Sequence, residues 1–499
     1  MQVRRVAVLG GGPGGLYAAR LLKLADPTCV VSVHEQGEPD TTFGFGVGLA
    51  AGTQRKLAAA DPDTLREIVA TGYRHDMTMQ VGEDVARVHN DRLVGVARTE
   101  LLAILQRHAE KAGVELEFGS RRTVADLDAD LVIAADGVSS ATREDGPFSS
   151  RIETGRGLYL WCGTDFPLDD AVFAPVETEH GVFVTHAYPY SGGRQEDGSS
   201  TFLVETDEAT WRRAGFDAAD VPPDGSDEIS LRYLEKAFAV LLRGRPLIGN
   251  RTRWLRFRTV RCERWSDGAT VLLGDAAHTA HYSIGSGTKL AMEDAIVLVE
   301  ALRDAPDRAA AFAGYERVRR PAVERLQELA RRSQLWWESF PERLHLPVDR
   351  LMVAYMSRAG NVPLERFAAT SPDVVKAALR RYGGDPGPTG PAGITDWVLD
   401  RQPAPRERLE PIDDVLADPW AADGDAVVAR AVASGAAGFR LTGPSDRGSV
   451  LTRLDLAERI RHATGRFVEV DGPAQLRDDL AAGLVSGRAD RVTFTEEDT

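Results

Sequence analysis

The stretch Gly10-Gly11-Gly12-Pro13-Gly14-Gly15 constrains this chain more than any other. It follows Arg5 to Leu9, an apolar run too short for a helix and suited to a buried parallel strand. Gly10, Gly12 and Gly15 keep a G-x-G-x-x-G spacing. In that spacing the first glycine permits a tight turn, the second admits a pyrophosphate to the backbone, and the third lets a helix lie against the strand. A helix from about Gly14 to Leu24 would aim its N-terminal N–H groups and dipole at the phosphates. A second apolar run, Cys29 to His34, reads as the next strand. It ends at Glu35, twenty residues past Gly15, where an acid binds ribose hydroxyls. The order predicts a doubly wound α/β fold with Gly10, Gly12, Pro13, Gly14, Gly15 and Glu35 at a dinucleotide. A glycine-rich turn in an unrelated α/β unit is the alternative.

Two later stretches have the same character. Asp136-Gly137-Val138-Ser139-Ser140-Ala141-Thr142-Arg143 is the first. The second is Gly274-Asp275-Ala276-Ala277-His278, trailing into Gly285-Ser286-Gly287. Val271-Leu272-Leu273 signals a buried strand, so Asp275 falls at a strand's carboxyl end, where α/β sheets bind ligands. Ile284 to Thr288 then opens a helix running to about Leu302.

Together these stretches resemble the single-component, group A flavoprotein monooxygenases. The resemblance implies FAD, transient NAD(P)H and O2 as cofactors and co-substrates. It places Asp136, Gly137, Ser140 and Arg143 near the pyrophosphate and the path of the reductant. It places Asp275 on ribityl or ribose oxygens, with Gly285, Ser286, Gly287 and Thr288 facing the flavin. Arg98, in Ala97-Arg98-Thr99-Glu100-Leu101-Leu102, matches an arginine near the phosphates. Gly46, in the pliant loop Phe43-Gly44-Phe45-Gly46-Val47-Gly48, falls by the ribityl chain and ring, or in a plain glycine loop. His278 is either part of this site or a structural histidine. The implied fold is a Rossmann-like, para-hydroxybenzoate hydroxylase type α/β FAD-binding domain. It carries an inserted antiparallel β-sheet substrate domain, a helical extension and a small α/β C-terminal domain.

The run His278 to Lys289 has Tyr282 where many members have proline, and Lys289 where many have asparagine. With His186-Ala187-Tyr188-Pro189-Tyr190 and Ser200 to Glu205, it is similar to a subgroup. That subgroup holds salicylyl-CoA 5-hydroxylases, anthraniloyl-CoA monooxygenases and the indole-hydroxylating flavoprotein of violacein biosynthesis. The likeness covers about residues 3 to 355. It implies hydroxylation of an aromatic or related ring, presented as a CoA thioester such as salicylyl-CoA, by a flavin C4a-hydroperoxide. Oxidation of a seven-membered-ring CoA ester in tropolone-type biosynthesis is a variant. A non-oxygenating flavin reductase or a scaffold is the competing class. In the first reading the cofactor carries the hard step, and the protein supplies position and dryness.

Substrate contacts are less determined. His186, Tyr188 and Tyr190 alternate, so an extended strand puts them on one face. His186 or Tyr188 would bond or ionise a substrate hydroxyl, or both belong to a satisfied aromatic face. His281 and Tyr282 are candidates from the opposite wall. Arg251, Arg253, Arg256, Arg258, Arg261 and Arg264 form the densest basic run. Arg256 and Arg258 share a face and suit the phosphates of CoA, or they are a solvated edge strand.

The chain has 499 residues, enough for two to four domains. A net charge of −15 argues against nucleic acid as a partner. No stretch is apolar enough to span a membrane, and the N-terminus enters a strand directly, without a signal peptide. Cys29, Cys162 and Cys262 show no metal spacing and sit in apolar or strand-like runs. They read as buried thiols of a cytoplasmic protein; no metal site is expected, and a homodimer is a possible assembly.

The expected organisation is a discontinuous FAD-binding domain, 1–154 and 262–305, interrupted by a β-sheet substrate domain, 155–261. A helical region, 306–380, a glycine- and proline-rich linker, 381–393, and a tail, 394–499, follow. Thr42 to Asp91 is an excursion from the FAD domain, and Gly192 to Ser200 is a hairpin loop. The tail reads as βα alternation, with strands at Gly438-Phe439-Arg440-Leu441 and Phe467-Val468-Glu469-Val470. Its end, Gly487 to Val492, looks like the last part of an old-yellow-enzyme barrel. A complete barrel needs about 250 residues, so a remnant used for packing or dimerisation is expected, without a second flavin.

Overall fold

The computed structural model describes residues 4–39, 44–90, 93–191, 198–384 and 390–495. Phe43, the excursion's limits at Thr42 and Asp91, most of the hairpin loop after Ser191 and the middle of the linker lie outside these residues. Two compact units result. The first comprises residues up to Met77 and Asn90–Gln334, the second Thr78–His89 and Leu335 onward.

In the first unit the chain opens with strand β1 (Arg5–Leu9), helix α1 (Pro13–Ala25) and strand β2 (Val30–His34). Pro13 at the first helical position supplies a preset φ and gives up only an N–H with no partner inside the helix. A short antiparallel pair, β3 (Gly46–Leu49) and β4 (Val94–Ala97), follows, and α2 (Arg98–Ala112) starts where β4 ends. Gly113, in the left-handed region at φ 92°, stops α2. Strands β5 (Glu115–Glu117) and β6 (Leu131–Ala134) complete the first pass of the nucleotide sheet.

The chain then builds a second sheet. Its strands are β7 (Ser150–Thr164), β8 (Ala171–Thr178), β9 (Gly181–Ser191), β10 (Ser199–Thr206), β11 (Leu247–Ile248) and β12 (Leu255–Cys262). All pair antiparallel in the order β11-β7-β10-β9-β8, and β12 lies against the first half of β7. Buried Leu160, Cys162, Phe183, Phe202 and Val204 alternate along these strands and pack against Leu231, Leu234 and Phe238. The period-2 pattern thus buries one face of the sheet under helices.

Strands β13 (Ser266–Asp267) and β14 (Thr270–Leu272) return the chain to the nucleotide sheet. Its order is β13-β14-β6-β1-β2-β5, parallel except for the edge strand β13. Helix α3 (Gly287–Asp304) packs on α1 over this sheet. The core here joins Val6, Val8, Val31, Val33, Leu131 and Ile133 to Leu16, Leu290 and Leu298. Helix α4 (Arg308–Glu338) follows, with Pro321 inside it. Cys29, Cys162 and Cys262 are all buried and unpaired, and burial pushes the Cys262 thiol up to about 11.

In the second unit, helices Val348–Ser357, Leu364–Thr370 and Pro372–Gly383 precede an open parallel sheet. The helical backbone runs to Gly383, three residues into the expected linker. The sheet's strands, Glu410–Ile412, Gly438–Leu441, Phe467–Pro473 and Arg491–Thr495, pair in chain order. Helices Ala422–Ala433, Arg447–Thr464 and Arg477–Val485 connect them. Four consecutive parallel strands are half the number that closes a barrel, and this sheet stays open. Glu410–Ile412 is a strand that the sequence pattern did not announce, since only Ile412 of its three residues is buried.

Candidate functional site

The glycine turn after β1 is built by close approach. Gly10 has φ 102°, and a Cβ there would fall 2.3 Å from the Ala135 carbonyl oxygen. A Cβ on Gly15 would fall 2.1 Å from the Gly10 carbonyl oxygen, so α1 and the turn touch through this residue. Gly12 is the opposite case. Nothing lies within 4 Å of its Cβ position, and it faces a cavity with Pro13, Gly14 and Gly15. No side chain caps the N-terminus of α1, so its N–H groups are left for a ligand. Glu35 accepts from Gly11 N and Gly37 N, each at 2.7 Å, which fixes its carboxylate beside the turn.

The second contribution is the turn after β14. Gly274 takes φ 64° and Asp275 opens onto the same cavity, with Gly285, Ser286, Gly287 and Thr288 at the start of α3. A buried ionic network lies beneath. Asp294, on α3, accepts from Gly274 N at 3.1 Å and Arg319 Nε at 2.7 Å, and lies 2.9 Å from His278 Nε2. Glu293 next to it takes Thr53 Oγ1 at 3.0 Å and Lys56 Nζ at 2.6 Å. Burial opposes ionisation of Asp294, yet His278 and Arg319 outweigh it and hold the carboxyl below the usual range. His278 is therefore the structural histidine of the two alternatives: it is 2% exposed, faces Asp294 and packs on Trp265.

The third contribution joins these turns. Arg143 is buried and donates to the carbonyls of Ala276 at 3.1 Å and Val138 at 2.8 Å, tying the Asp136 turn to the Asp275 turn. Asp136 accepts from Thr142 through one oxygen, and its other oxygen is buried without a partner among the described residues. Arg98 Nε and Ser286 Oγ are likewise buried and unpartnered. Burial lowers the Arg98 pKa, with Asp275 partly offsetting it. The protein packed around Asp275 pushes its carboxyl above the usual range, against the pull of His278 and Arg98, although the side chain itself is open to the cavity. A guanidinium, a hydroxyl and a bare glycine backbone around one space suit a phosphate-bearing ligand with polyol oxygens.

The cavity holds about 440 Å³, within the span of small-molecule sites. Its far wall comes from the antiparallel sheet: Tyr159 and Trp161 of β7, Tyr188 of β9, and Arg256 to Arg258 of β12. Of the four substrate-contact candidates, Tyr188 and Tyr282 line the space. The Tyr188 hydroxyl donates to the Gly46 carbonyl at 2.8 Å and Gly46 N donates to Thr201 Oγ1 at 2.9 Å, so β3 is pinned to the sheet. His186 and His281 stand one layer back. His186 is 6% exposed and packs edge-on against Phe173 and Tyr282. His281 accepts from Ser283 N at 3.4 Å and packs against Phe257.

The six arginines do not make one basic face. Arg253 donates to the carbonyls of Pro222 and Pro223, and Arg261 pairs with Glu153 at 3.1 Å. A register shift falls between Arg256 and Arg258, and both reach the cavity. Arg256 pairs with Glu208 at 2.6 Å and Arg258 donates to Ser139 Oγ at 2.9 Å. Glu205, Tyr159, Trp161 and Phe257 carried no assignment from sequence. The available signal was a lone acid ending the run Thr201-Phe202-Leu203-Val204-Glu205.

Comparison with known proteins bears on this arrangement. An FAD binding domain family model matches residues 120–330. Salicyloyl-CoA 5-hydroxylase of a Streptomyces species is 44% identical over 348 residues, 67% of this chain. The match spans 66% of that relative's length. A 3-hydroxy-4-methyl-anthranilyl-[aryl-carrier protein] 5-monooxygenase of Streptosporangium sibiricum is 36% identical, over 72% of this chain and 95% of the relative. The chain belongs to the FAD-dependent aromatic monooxygenases. Among solved structures, a tetrameric form of 2-methyl-3-hydroxypyridine-5-carboxylic acid oxygenase shares the fold at TM-score 0.55 and 19% identity, covering 75% of this chain and 97% of that one. PqsL of P. aeruginosa, in complex with 2-aminobenzoylacetate, does so at TM-score 0.53 and 21% identity, covering 67% and 96%. FAD is the cofactor of this family, and the unpartnered groups at Arg98, Asp136 and Ser286 fit it. Among the described residues, no group of side chains is arranged to hold a metal ion and no helix is long and apolar enough to cross a membrane.

Proposed function

We propose that this protein uses NAD(P)H and O2 to hydroxylate an aromatic ring carried as a thioester, with a salicyloyl-CoA-like molecule as the default substrate. Gly10, Gly12, Pro13, Gly14 and Gly15 would hold the FAD pyrophosphate, with Arg98 as the counter-charge and Glu35 on the ribose. Asp136 and Asp275 would take the remaining sugar and ribityl hydroxyls, and Gly46 and Gly285 to Thr288 would border the ring. Bound FAD supplies the two-electron reduction and the activation of O2. The protein's part is to hold the ring in place and to exclude water. Tyr159, Trp161, Tyr188 and Tyr282 do both, because they wall the space with aromatic surface.

The observation that carries the thioester reading is the position of Arg256 and Arg258 on the wall of the cavity that Gly12, Arg98 and Asp275 also line. Two cations there suit the phosphates of a CoA or carrier arm, and two similar proteins have CoA-linked and carrier-linked aryl groups in their names. Stopped-flow reduction of the bound flavin by NADH and NADPH tests it, with salicyloyl-CoA, anthraniloyl-CoA and the free acids as effectors. Thioesters should accelerate reduction and yield a hydroxylated product. Acceleration by the free acids alone overturns the thioester reading. The three buried thiols support a cytoplasmic setting, and we propose a homodimer, which light scattering of the purified protein tests.

A further inference from the structure

Arg256 and Arg258 line the same cavity but stand in different conditions. Arg256 is already paired. It donates to Glu208 Oε2 at 2.6 Å and to the Arg156 carbonyl at 2.5 Å, so its charge is balanced and both ends of its fork are engaged. Arg258 has no carboxylate partner among the described residues. Its guanidinium makes one hydrogen bond, from Nη2 to the Ser139 hydroxyl at 2.9 Å. The backbone of Arg258 is fixed, because its carbonyl accepts from Thr279 Oγ1 at 2.6 Å and that same oxygen accepts from Val260 N at 2.8 Å. The side chain is therefore the part of this residue that can change partner. Ser139 belongs to the turn after β6, with Asp136 and Gly137. Gly137 takes φ 81°, nothing lies within 4 Å of its Cβ position, and it lines the cavity with Val138. Ser140 is buried and accepts from Arg143 N at 3.0 Å, whereas Ser139 is exposed. Among the described residues, the Arg258–Ser139 bond is the one side-chain hydrogen bond between β12 and this turn. It ties the antiparallel sheet to the nucleotide sheet at the edge of the cavity.

The chemistry of the pair gives this contact a direction. A serine hydroxyl offers a guanidinium one neutral acceptor. A phosphate monoester offers it two parallel, charge-assisted bonds, each about twice as strong as a neutral one. We propose that the Arg258–Ser139 bond is a latch: a phosphate monoester entering the cavity takes Arg258 from Ser139 and unties the antiparallel sheet from the Asp136 turn. The monoester is either the 3′-phosphate of a CoA arm or the 2′-phosphate of NADPH. The inference rests on the reading that a phosphate-bearing ligand enters this cavity. The resting bond has to be given up before the ligand is held, so Ser139 lowers the affinity for the monoester. A ligand without that group does not draw on Arg258 and is indifferent to Ser139.

The experiment titrates the FAD-loaded protein by calorimetry with two pairs of ligands, CoA against 3′-dephospho-CoA and NADP+ against NAD+. Ser139→Ala should tighten the monoester-bearing member of one pair by about fivefold, the worth of one hydrogen bond, and leave the other member within about twofold. Arg258→Gln should weaken the same member by about tenfold or more, and Ser139→Ala added to it should change nothing further. Arg258→Lys keeps the charge without the fork and should recover part of the loss. Flavin content reports folding, and Ser139→Gly takes the place of Ser139→Ala if the latter does not load FAD. Tightening for CoA assigns the latch to the substrate arm, and tightening for NADP+ assigns it to the reductant. A serine variant that leaves all four ligands unchanged, or weakens them, shows a merely structural contact and overturns the proposal. So does Arg258→Gln without effect on any ligand, weak binding included. Hydroxylation of salicyloyl-CoA with no tightening in Ser139→Ala sinks the latch and leaves the thioester reading standing. Tightening for NADP+ alone, with thioesters that do not accelerate flavin reduction, does the reverse.

Discussion

Tyr188 and Asp275 separate two kinds of residue around one cavity. The Tyr188 hydroxyl is already bonded to the Gly46 carbonyl, so its contribution is to hold β3 in place. Tyr188→Phe should cost about 1 kcal/mol of stability in urea denaturation, with flavin content unchanged. Asp275 is open to the cavity, where Arg98 also lies. Asp275→Ala should weaken FAD binding by about tenfold or more, measured by fluorescence titration of the apoprotein, because a charged acceptor for sugar hydroxyls is lost. Gly10 and Gly15 were legible in the sequence because close approach and a left-handed φ can be met only by residues without a Cβ. Glu205 was not legible. One acid at the end of an apolar strand has no spacing to mark it, and only strand pairing brings it within 3.6 Å of His186.

Among the elements, α3 does the most to place the site. Its first turn faces the cavity, and Glu293 and Asp294, two turns on, hold Arg319, His278, Lys56 and the Gly274 amide. A buried charge network of this kind is costly to break from one side. Asp294→Ala should therefore destabilise the protein by about 3–5 kcal/mol and lower flavin content with it, read by chemical denaturation and by the ratio of flavin to protein absorbance. The bulge in β12 matters in a different way. It shifts the register between Arg256 and Arg258, yet both side chains line the cavity, on the common side that alternation predicts. On β9, alternation put His186 and Tyr188 on one face as expected, but only Tyr188 reaches the cavity, because the ring of Tyr282 stands in front of His186.

At the scale of the molecule, pH acts through the buried carboxylates. Asp61, held by Arg20 and Thr64, and Asp294, held by His278 and Arg319, both sit below the ordinary aspartate range despite burial. A depressed folded-state pKa contributes stability that is present above the unfolded value, about 3.9, and is lost as pH falls through the folded value. Stability should therefore hold near neutrality and fall steeply below about pH 4, followed as the denaturation midpoint against pH. Asp275, whose pKa is raised, runs the other way and makes a small opposing contribution that fades as pH rises. A midpoint that stays flat down to pH 3 would contradict the network as described. The sequence by itself determined the nucleotide half of this protein, its α/β class, its glycine turns and the position of Asp275 at a strand end. These depend on local sterics and on short-range periodicity, which a linear chain displays. Only the tertiary structure decided which aromatic groups wall the cavity, which histidines stand behind it, and that Glu205 faces His186. Those relations join strands and turns far apart in the chain, and they depend on register, bulges and burial that no single segment encodes.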